Sequence, residues 1–129
     1  MRIKKKYQGV VIPAVTPLTD THTLDRQAVE KIWAYFRAHQ AMPFILGTTG
    51  EAASLPATVK NDYIRLAAKL KKAGDTLYAG ISSNVLQESV EMAKRCFDEG
   101  VDVVVATLPT YYALTEDQMK LYFEQLANA

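Results

Sequence analysis

The sequence has 129 residues, of which 49% are apolar and 22% are charged, and its formal net charge is +1. This length provides one hydrophobic core, and we expect a single domain over residues 1–129. The near-zero net charge argues against a general role on nucleic acids or membrane surfaces, which favour a strong positive excess. No stretch approaches the roughly 20 apolar residues of a membrane-spanning helix.

The single cysteine, Cys96, cannot form an internal disulfide or a zinc cluster, so we expect a reducing compartment, the cytoplasm. It falls within a helical pattern and is predicted to be a buried structural thiol. His22 and His39 lack metal-ligand spacing, and we expect no metal and no dissociable cofactor. The basic run 4–6 is interpreted as a solvated leader, because no apolar segment of a signal peptide follows it.

The first half of the chain predicts two strand–helix units. The β-branched run 10–15 predicts a strand, and residues 25–40 change to a helical period. A second strand at 43–46 leads directly into the sequence GTTGE, and a helix follows from Pro56 to about Lys72. The predicted apolar faces of these two helices are Val29, Ile32, Trp33 and Phe36, and Val59, Tyr63, Leu66 and Leu70.

The second half repeats the pattern, with strands predicted at 76–81 and 101–108 and a helix after each. Each of these helices opens with a polar residue and a glutamine three residues later, as in a capping box: Asn84 with Gln87, and Thr115 with Gln118. Gly100 ends the third helix. The predicted apolar faces are Leu86, Val90, Ala93 and Phe97, and Met119, Phe123 and Leu126.

The four strands are short and mostly apolar, which is typical of a parallel sheet covered by helices. A repeat of about 30 residues matches a βαβ unit, so the fold class is α/β. Two architectures use such units, the doubly wound sheet and the (β/α)8 barrel, and a flavodoxin-like sheet stays open on pattern alone. The dinucleotide fingerprint and the P-loop are absent. Because a barrel needs about 250 residues, four units would form half of one.

In parallel βα folds, functional groups collect on the loops after the strands. These loops are 16–20, 47–51, 82–84 and 109–112, and their side chains are expected to converge. Their hydroxyl-rich, nearly neutral set suits binding of a small carboxylate and relay of a proton. The convergent donors are Thr16, Thr48, Thr49, Ser82, Ser83, Tyr111 and Tyr112.

Each of these features also has a structural interpretation. Gly47 and Gly50 could permit a tight turn with positive φ. Thr49 or Ser54 could cap the following helix. For Glu51 we favour the structural interpretation, an acidic residue at a helix N-terminus. The tyrosine pair of the fourth loop could consist of packing aromatics.

Four segments together resemble the dihydrodipicolinate synthase / N-acetylneuraminate lyase family. They are AVTP at 14–17, GTTGE at 47–51, AG followed by SN within 79–84, and P-x-Y at 109–111. The similarity extends over nearly the whole chain, and GTTGE directly after the second strand is its most specific part. The resemblance implies the N-terminal half of a (β/α)8 barrel and a class I aldolase, which binds pyruvate or another 2-oxo acid as a Schiff base on a lysine.

The resemblance also implies roles for individual residues. Thr49 matches the threonine that holds the pyruvate carboxylate, and Thr48 matches the one that relays protons between two tyrosines. Tyr111 matches one of those tyrosines, which reaches a neighbouring subunit's site. The family has an aromatic residue where Thr110 stands, so Tyr112 is the alternative. The predicted catalytic residues are Thr48 and Tyr111, and the predicted substrate-binding residues are Gly47, Thr48 and Thr49.

By the same resemblance, the Schiff-base lysine on the sixth strand and the second tyrosine on the fifth lie beyond these four units. A Schiff-base lysine must be buried so that its amine is free near neutral pH. The chain's own candidates are all predicted on helices: Lys31, Lys60, Lys69, Lys71, Lys72, Lys94 and Lys120. We therefore expect a lyase that is inactive as this chain alone, or alternatively a non-catalytic half-barrel that binds a small carboxylate or a partner chain.

A half-barrel would leave its first and fourth strands with open edges, which favour association. We therefore expect either a homo-oligomer or a complex with a complementary C-terminal half. The sequence leaves the aldehyde co-substrate open.

Overall fold

The computed structural model describes residues 7–129, so the predicted leader at 4–6 lies outside the described residues. Four strand–helix units follow one another, as predicted, and a short 3-10 helix at Ala52–Ser54 lies between the second strand and its helix. The first, third and fourth strands are shorter than the apolar runs that predicted them, whereas the second begins two residues earlier and ends one residue earlier than predicted. The elements are β1 Val10–Pro13, α1 Arg26–Ala38, β2 Ala41–Ile45, α2 Ala57–Leu70, β3 Tyr78–Gly80, α3 Leu86–Glu99, β4 Val103–Val105 and α4 Glu116–Ala127.

The four strands form one parallel sheet in the order β1-β2-β3-β4. Each strand thus lies next to the one that follows it in the chain. A doubly wound sheet reverses its strand order at a switch point, whereas a barrel adds its strands in sequence. The order therefore confirms the half-barrel and removes the flavodoxin-like alternative. Within residues 7–129, β1 pairs only with β2, and β4 only with β3.

The core lies between the sheet and helices α1, α2 and α3. All four residues predicted for the α1 face are buried or partly buried, and Trp33 packs against Tyr63 of α2 with ring centroids 6.1 Å apart. Cys96 is fully buried, as predicted, and burial raises the pKa of its thiol to about 12 although the charge of Arg95 opposes this. The thiol therefore stays protonated at neutral pH and fills core space.

The predicted apolar faces of α3 and α4 are each wrong by one residue. Phe97 is 53% exposed while the neighbouring Cys96 is buried, and Phe123 is 42% exposed while Tyr122 is buried. Successive residues of a helix point about 100° apart. When a neighbouring element covers only one side of an apolar face, the residues on that side are the ones that become buried. Helix α4 packs mainly on α3, where the Tyr122 hydroxyl lies 3.4 Å from Ser89 Oγ.

One of the two predicted capping boxes is present. Thr115 Oγ1 accepts a hydrogen bond from the Gln118 amide, and the Gln118 side chain accepts one from the Thr115 amide. Asn84 does not cap α3, whose N-cap is Val85 without a side-chain hydrogen bond. Instead, Asn84 Oδ1 accepts a hydrogen bond from the Thr110 amide at 2.7 Å. Asn84 therefore bonds to a residue that is distant in the chain, and it does not make the local capping bond that the sequence pattern predicts.

An ion pair joins α1 to the segment before β3. Arg37 Nη2 lies 2.9 Å from Asp75 Oδ2 and also donates to the Leu70 carbonyl at 2.9 Å. Asp75 Oδ2 further accepts a hydrogen bond from the Lys72 amide. Burial raises the pKa of Asp75, but the hydrogen bonds from Arg37 and Lys72 and the charges of both residues outweigh it, so the pKa lies below its usual range.

We predict that Asp75→Asn lowers the free energy of unfolding at pH 7, and that the loss shrinks toward about pH 3. A carboxyl group with a lowered folded-state pKa stabilises the fold above its unfolded value of about 3.9, and this contribution disappears as the pH falls through the folded-state pKa. Urea unfolding at both pH values measures the difference. As a control, Asp98→Asn on the exposed side of α3 should have little effect, and an Asp75→Asn loss that is equal at both pH values would contradict the prediction.

Candidate functional site

The segment GTTGE forms a tight turn directly after β2. Leu46, the residue before it, is buried and has a left-handed φ of 56°, which is uncommon and costly for a leucine. Two successive hydrogen bonds then fold the turn, from the Gly50 amide to the Gly47 carbonyl at 3.1 Å and from the Glu51 amide to the Thr48 carbonyl at 3.0 Å. The chain thus reverses at once and presents Thr48 and Thr49 at its outer side, where both are exposed.

The glycines make this turn possible because they have no side chain, and not because they adopt a positive φ. Gly47 and Gly50 do not have positive φ, so that interpretation of them is wrong; the positive values belong to Leu46 and Glu51. A Cβ atom on Gly50 would lie 3.1 Å from the Ala14 carbonyl oxygen. A Cβ atom on Gly80, at the end of β3, would overlap the Leu46 carbonyl oxygen and lie 2.7 Å from its carbonyl carbon. Sequence reasoning missed Gly80, although a glycine at a strand end is a signal of close backbone approach.

The loop after β1 is tied to this turn. Thr16 Oγ1 donates a 2.7 Å hydrogen bond to the Gly50 carbonyl, and the Tyr63 hydroxyl donates to the Val15 carbonyl at 2.9 Å. Burial raises the pKa of Tyr63 well above its usual range, so its hydroxyl stays a neutral donor. Thr16 was predicted among the convergent donors, but its hydroxyl is committed to the backbone and positions the turn.

The hydroxyl and amide groups of Thr48 and Thr49 make no hydrogen bond as donors within residues 7–129. The capping interpretation of Thr49 and Ser54 is wrong, because the N-cap of α2 is Pro56 and has no side-chain hydrogen bond. Glu51 is the N-cap of the short 3-10 helix instead of lying at the start of α2, and its side chain does not cap it. The turn therefore offers up to four donors on two adjacent residues, none of which the described part of the fold uses.

Side chains also tie the third and fourth loops together. Ser82 Oγ accepts hydrogen bonds from the amide of Thr107 at 2.8 Å and from its hydroxyl at 3.0 Å. Asn84 Oδ1 accepts from the amide and the hydroxyl of Thr110, at 2.7 and 3.2 Å. The Ser83 hydroxyl bonds within its own loop and to the first turn of α3. Ser83 is therefore not the free donor predicted, because its hydroxyl donates to Glu88. Ser82 Oγ accepts both of its bonds from Thr107, and its hydroxyl makes no hydrogen bond as a donor within residues 7–129.

The two tyrosines of the fourth loop lie on the surface. Tyr111 is 89% exposed and Tyr112 is 78% exposed, and their rings meet edge to face at 4.9 Å. Tyr111 also has a left-handed φ of 83°, an unusual conformation for a bulky residue. Neither ring packs into the core, and no hydrogen bond joins them to Thr48 or Thr49 within residues 7–129.

The lysines among the described residues are all on helices or just after one, and each is at least partly exposed. Lys71, the least exposed side chain of those in ion pairs, lies 2.7 Å from Asp102 Oδ2 and donates to the Gly100 carbonyl. None of them has the buried environment that imine chemistry requires. In residues 7–129, no group of three or more His, Cys, Asp or Glu side chains could hold a metal ion, and no helix is long and apolar enough to cross a membrane.

Comparison with known proteins places these features in context. The model of the dihydrodipicolinate synthetase family matches residues 6–129. The chain is 26% identical over 124 residues to 4-hydroxy-tetrahydrodipicolinate synthase of Brachyspira hyodysenteriae, covering 95% of this chain and 42% of that protein. It is 30% identical over 127 residues to the Leuconostoc mesenteroides enzyme of the same name, covering 95% and 44%. The chain spans less than half the length of these relatives.

Solved structures show the same fold. Dihydrodipicolinate synthase from Bacteroides thetaiotaomicron superposes with a TM-score of 0.89 at 29% sequence identity, covering 98% of this chain and 43% of that one. The four parallel βα units therefore match half of the barrel of that enzyme.

We predict that Thr16→Val lowers the free energy of unfolding by about 1–3 kcal/mol, because it leaves the Gly50 carbonyl without its partner. Thr16→Ser keeps the hydroxyl and should retain most of that stability. Urea unfolding at neutral pH measures both variants. Full stability of Thr16→Val together with a loss in Thr16→Ser would show that the methyl group, and not the hydrogen bond, holds the turn.

Proposed function

Because the chain belongs to the dihydrodipicolinate synthetase family, we propose that it provides the 2-oxo acid binding half of a lyase that forms or cleaves a bond to pyruvate or a similar acid. The observation that supports this most directly is the GTTGE turn, where Thr48 and Thr49 are exposed and leave their donors unused. The turn itself is held by Gly80 and Thr16, which keep these donors in place.

A carboxylate is the ligand that suits this turn. Its two oxygens can accept hydrogen bonds from the hydroxyls and amides of Thr48 and Thr49, and bonds to a charged acceptor are stronger than those between neutral groups. Gly47 belongs to the proposed site because it begins this turn, and glycine fits there because a Cβ atom would lie 3.0 Å from the Phe44 ring. No cation is needed among these groups, because oriented N–H and O–H dipoles supply the positive potential.

The chemistry that we propose is imine formation with a lysine outside these four βα units. The amine attacks the keto carbon, the C–N bond forms, and the carbonyl oxygen leaves as water after proton transfer. The resulting iminium withdraws electrons, so that the neighbouring carbon can lose a proton and attack an aldehyde. Thr48 relays a proton in this sequence together with Tyr111, or with Tyr112 in its place. Their exposure suits a role at a subunit contact.

The second candidate is binding without catalysis. It is favoured by the partial or full exposure of every lysine in residues 7–129, since the same turn could hold a carboxylate with no amine beside it. We also propose a reducing compartment such as the cytoplasm, because the lone Cys96 is buried and protonated.

We predict that the chain binds pyruvate with a dissociation constant on the order of millimolar, and that Thr49→Val weakens binding roughly tenfold through loss of one hydrogen bond to a charged group. Titration with pyruvate, followed by amide NMR shifts, gives both values. The control is Thr58→Val, which changes an exposed threonine in the first turn of α2 and should leave binding unchanged. Equal affinities for all three proteins would show that GTTGE is not the site.

We predict that borohydride reduction of the chain with pyruvate leaves its mass unchanged, because every described lysine lies on or just after a helix and is at least partly exposed, whereas a Schiff-base lysine must be buried. Mass spectrometry after reduction measures whether a pyruvate adduct has formed. An adduct on one specific lysine would contradict the proposal that the amine comes from elsewhere. Reduction without pyruvate is the control.

A further inference from the structure

Asn84 ties the third loop to the fourth through a single atom. Its Oδ1 accepts hydrogen bonds from the amide of Thr110 at 2.7 Å and from the hydroxyl of Thr110 at 3.2 Å. A backbone amide can only donate, so the Asn84 atom that meets it is the oxygen. The Asn84 amide nitrogen makes no hydrogen bond within residues 7–129. The side chain therefore acts only as an acceptor, and both of its bonds end on one residue.

The next residue, Tyr111, has a strained backbone conformation that burial does not stabilise. Its φ of 83° is left-handed, which is costly for a bulky residue and persists only where the surroundings impose it. Leu46 is also left-handed, but its side chain is buried and that burial offsets the cost. The Tyr111 ring is 89% exposed, and the Tyr112 ring that it meets is 78% exposed. The bonds on Thr110, directly before Tyr111, are thus the interactions placed to impose the conformation.

The chain before Tyr111 is held at two points. The first is the pair of bonds to Asn84, and the second is Ser82 Oγ, which accepts bonds from the amide of Thr107 at 2.8 Å and from its hydroxyl at 3.0 Å. The segment 107–110 is therefore fixed at both ends. It sets the direction in which the chain enters Tyr111.

We propose that Asn84 is a positioning residue that holds Tyr111 in its left-handed conformation, so that the Tyr111 hydroxyl has a defined place for the proton relay; this rests on the proposed function. Proton transfer needs a donor and an acceptor within hydrogen-bond distance, and an exposed side chain on an unrestrained loop loses that alignment. Tyr112 lies one residue farther from the bonds on Thr110 and has no positive φ. Of the two tyrosines left open for the relay, Tyr111 is therefore the one that the loops fix.

The test compares Asn84→Ala and Asn84→Asp with the unchanged chain by NMR at neutral pH. In Asn84→Ala we expect the Thr110 amide to exchange with solvent at least about tenfold faster. The coupling between the amide and Hα protons of Tyr111 should change from the value of a left-handed backbone to that of an extended one. The Tyr111 ring should also lose the chemical shift caused by the Tyr112 ring at 4.9 Å. Asn84→Asp keeps an acceptor oxygen and should retain all three properties.

The matched control is Asn128→Ala, because in residues 7–129 the side chain of this exposed asparagine bonds only to the Glu124 carbonyl of its own helix. It should leave Thr110 and Tyr111 unchanged, and circular dichroism confirms that every variant is folded. Either of two NMR outcomes would overturn the proposal. One is an Asn84→Ala protein in which Tyr111 keeps its left-handed coupling, and the other is an Asn84→Asp protein that behaves like Asn84→Ala.

Titration of the same proteins with pyruvate separates this proposal from the proposed function. The Asn84 bonds do not reach Thr48 or Thr49, so Asn84→Ala should bind pyruvate as the unchanged chain does. Binding weakened as much as by Thr49→Val would place the effect of Asn84 at the GTTGE turn and would also overturn the proposal. A chain in which Tyr111 depends on Asn84 but which binds no pyruvate supports the positioning of Tyr111 and refutes the proposed function.

Discussion

The backbone contact between Leu46 and Gly80 is the constraint on which the candidate site depends. Leu46 adopts a left-handed conformation at the end of β2, and its carbonyl oxygen occupies the space that a side chain at position 80 would need. That conformation costs about 1–2 kcal/mol, while full burial of a leucine side chain gains about 1.5–3 kcal/mol. Because Leu46 is almost completely buried, the strained backbone is stable, and the GTTGE turn can begin one residue after the strand.

Around this contact, the polar side chains of the four loops divide into two groups. Thr16, Ser82 and Asn84 are bonded to neighbouring loop atoms and fix the loops in pairs. The side chains of Thr48 and Thr49 have no such bonds in residues 7–129, and they are the groups that we propose for a ligand. Rigid supports beside unused donors are what a preorganised binding site requires, because the ligand then does not have to order the loops that hold it.

Much of the fold could be predicted from the sequence, because strand and helix periods are local properties of the chain. The four βα units and the buried face of α1 follow directly from them. The errors occur where a contact with a residue distant in the chain determines the outcome. Asn84 bonds to Thr110 instead of capping its helix, and α3 covers Tyr122 rather than Phe123. For the site, the positions of the loops were predictable, but the commitment of Thr16 and the need for Gly80 were not, since both depend on contacts across more than 30 residues.

The strand order has a consequence for how such a chain can acquire its structure. Each strand pairs with the strand synthesised just before it, so the sheet can grow one unit at a time from β1 as the polypeptide emerges from the ribosome. Each new strand pairing closes a chain segment that contains only one helix, so the loss of chain entropy at each step is small. The edge of β1 is the exception, because no later strand of residues 7–129 pairs with it. Growth of the sheet therefore proceeds only on the side of the newest strand, and the edge on which it began stays open to association throughout.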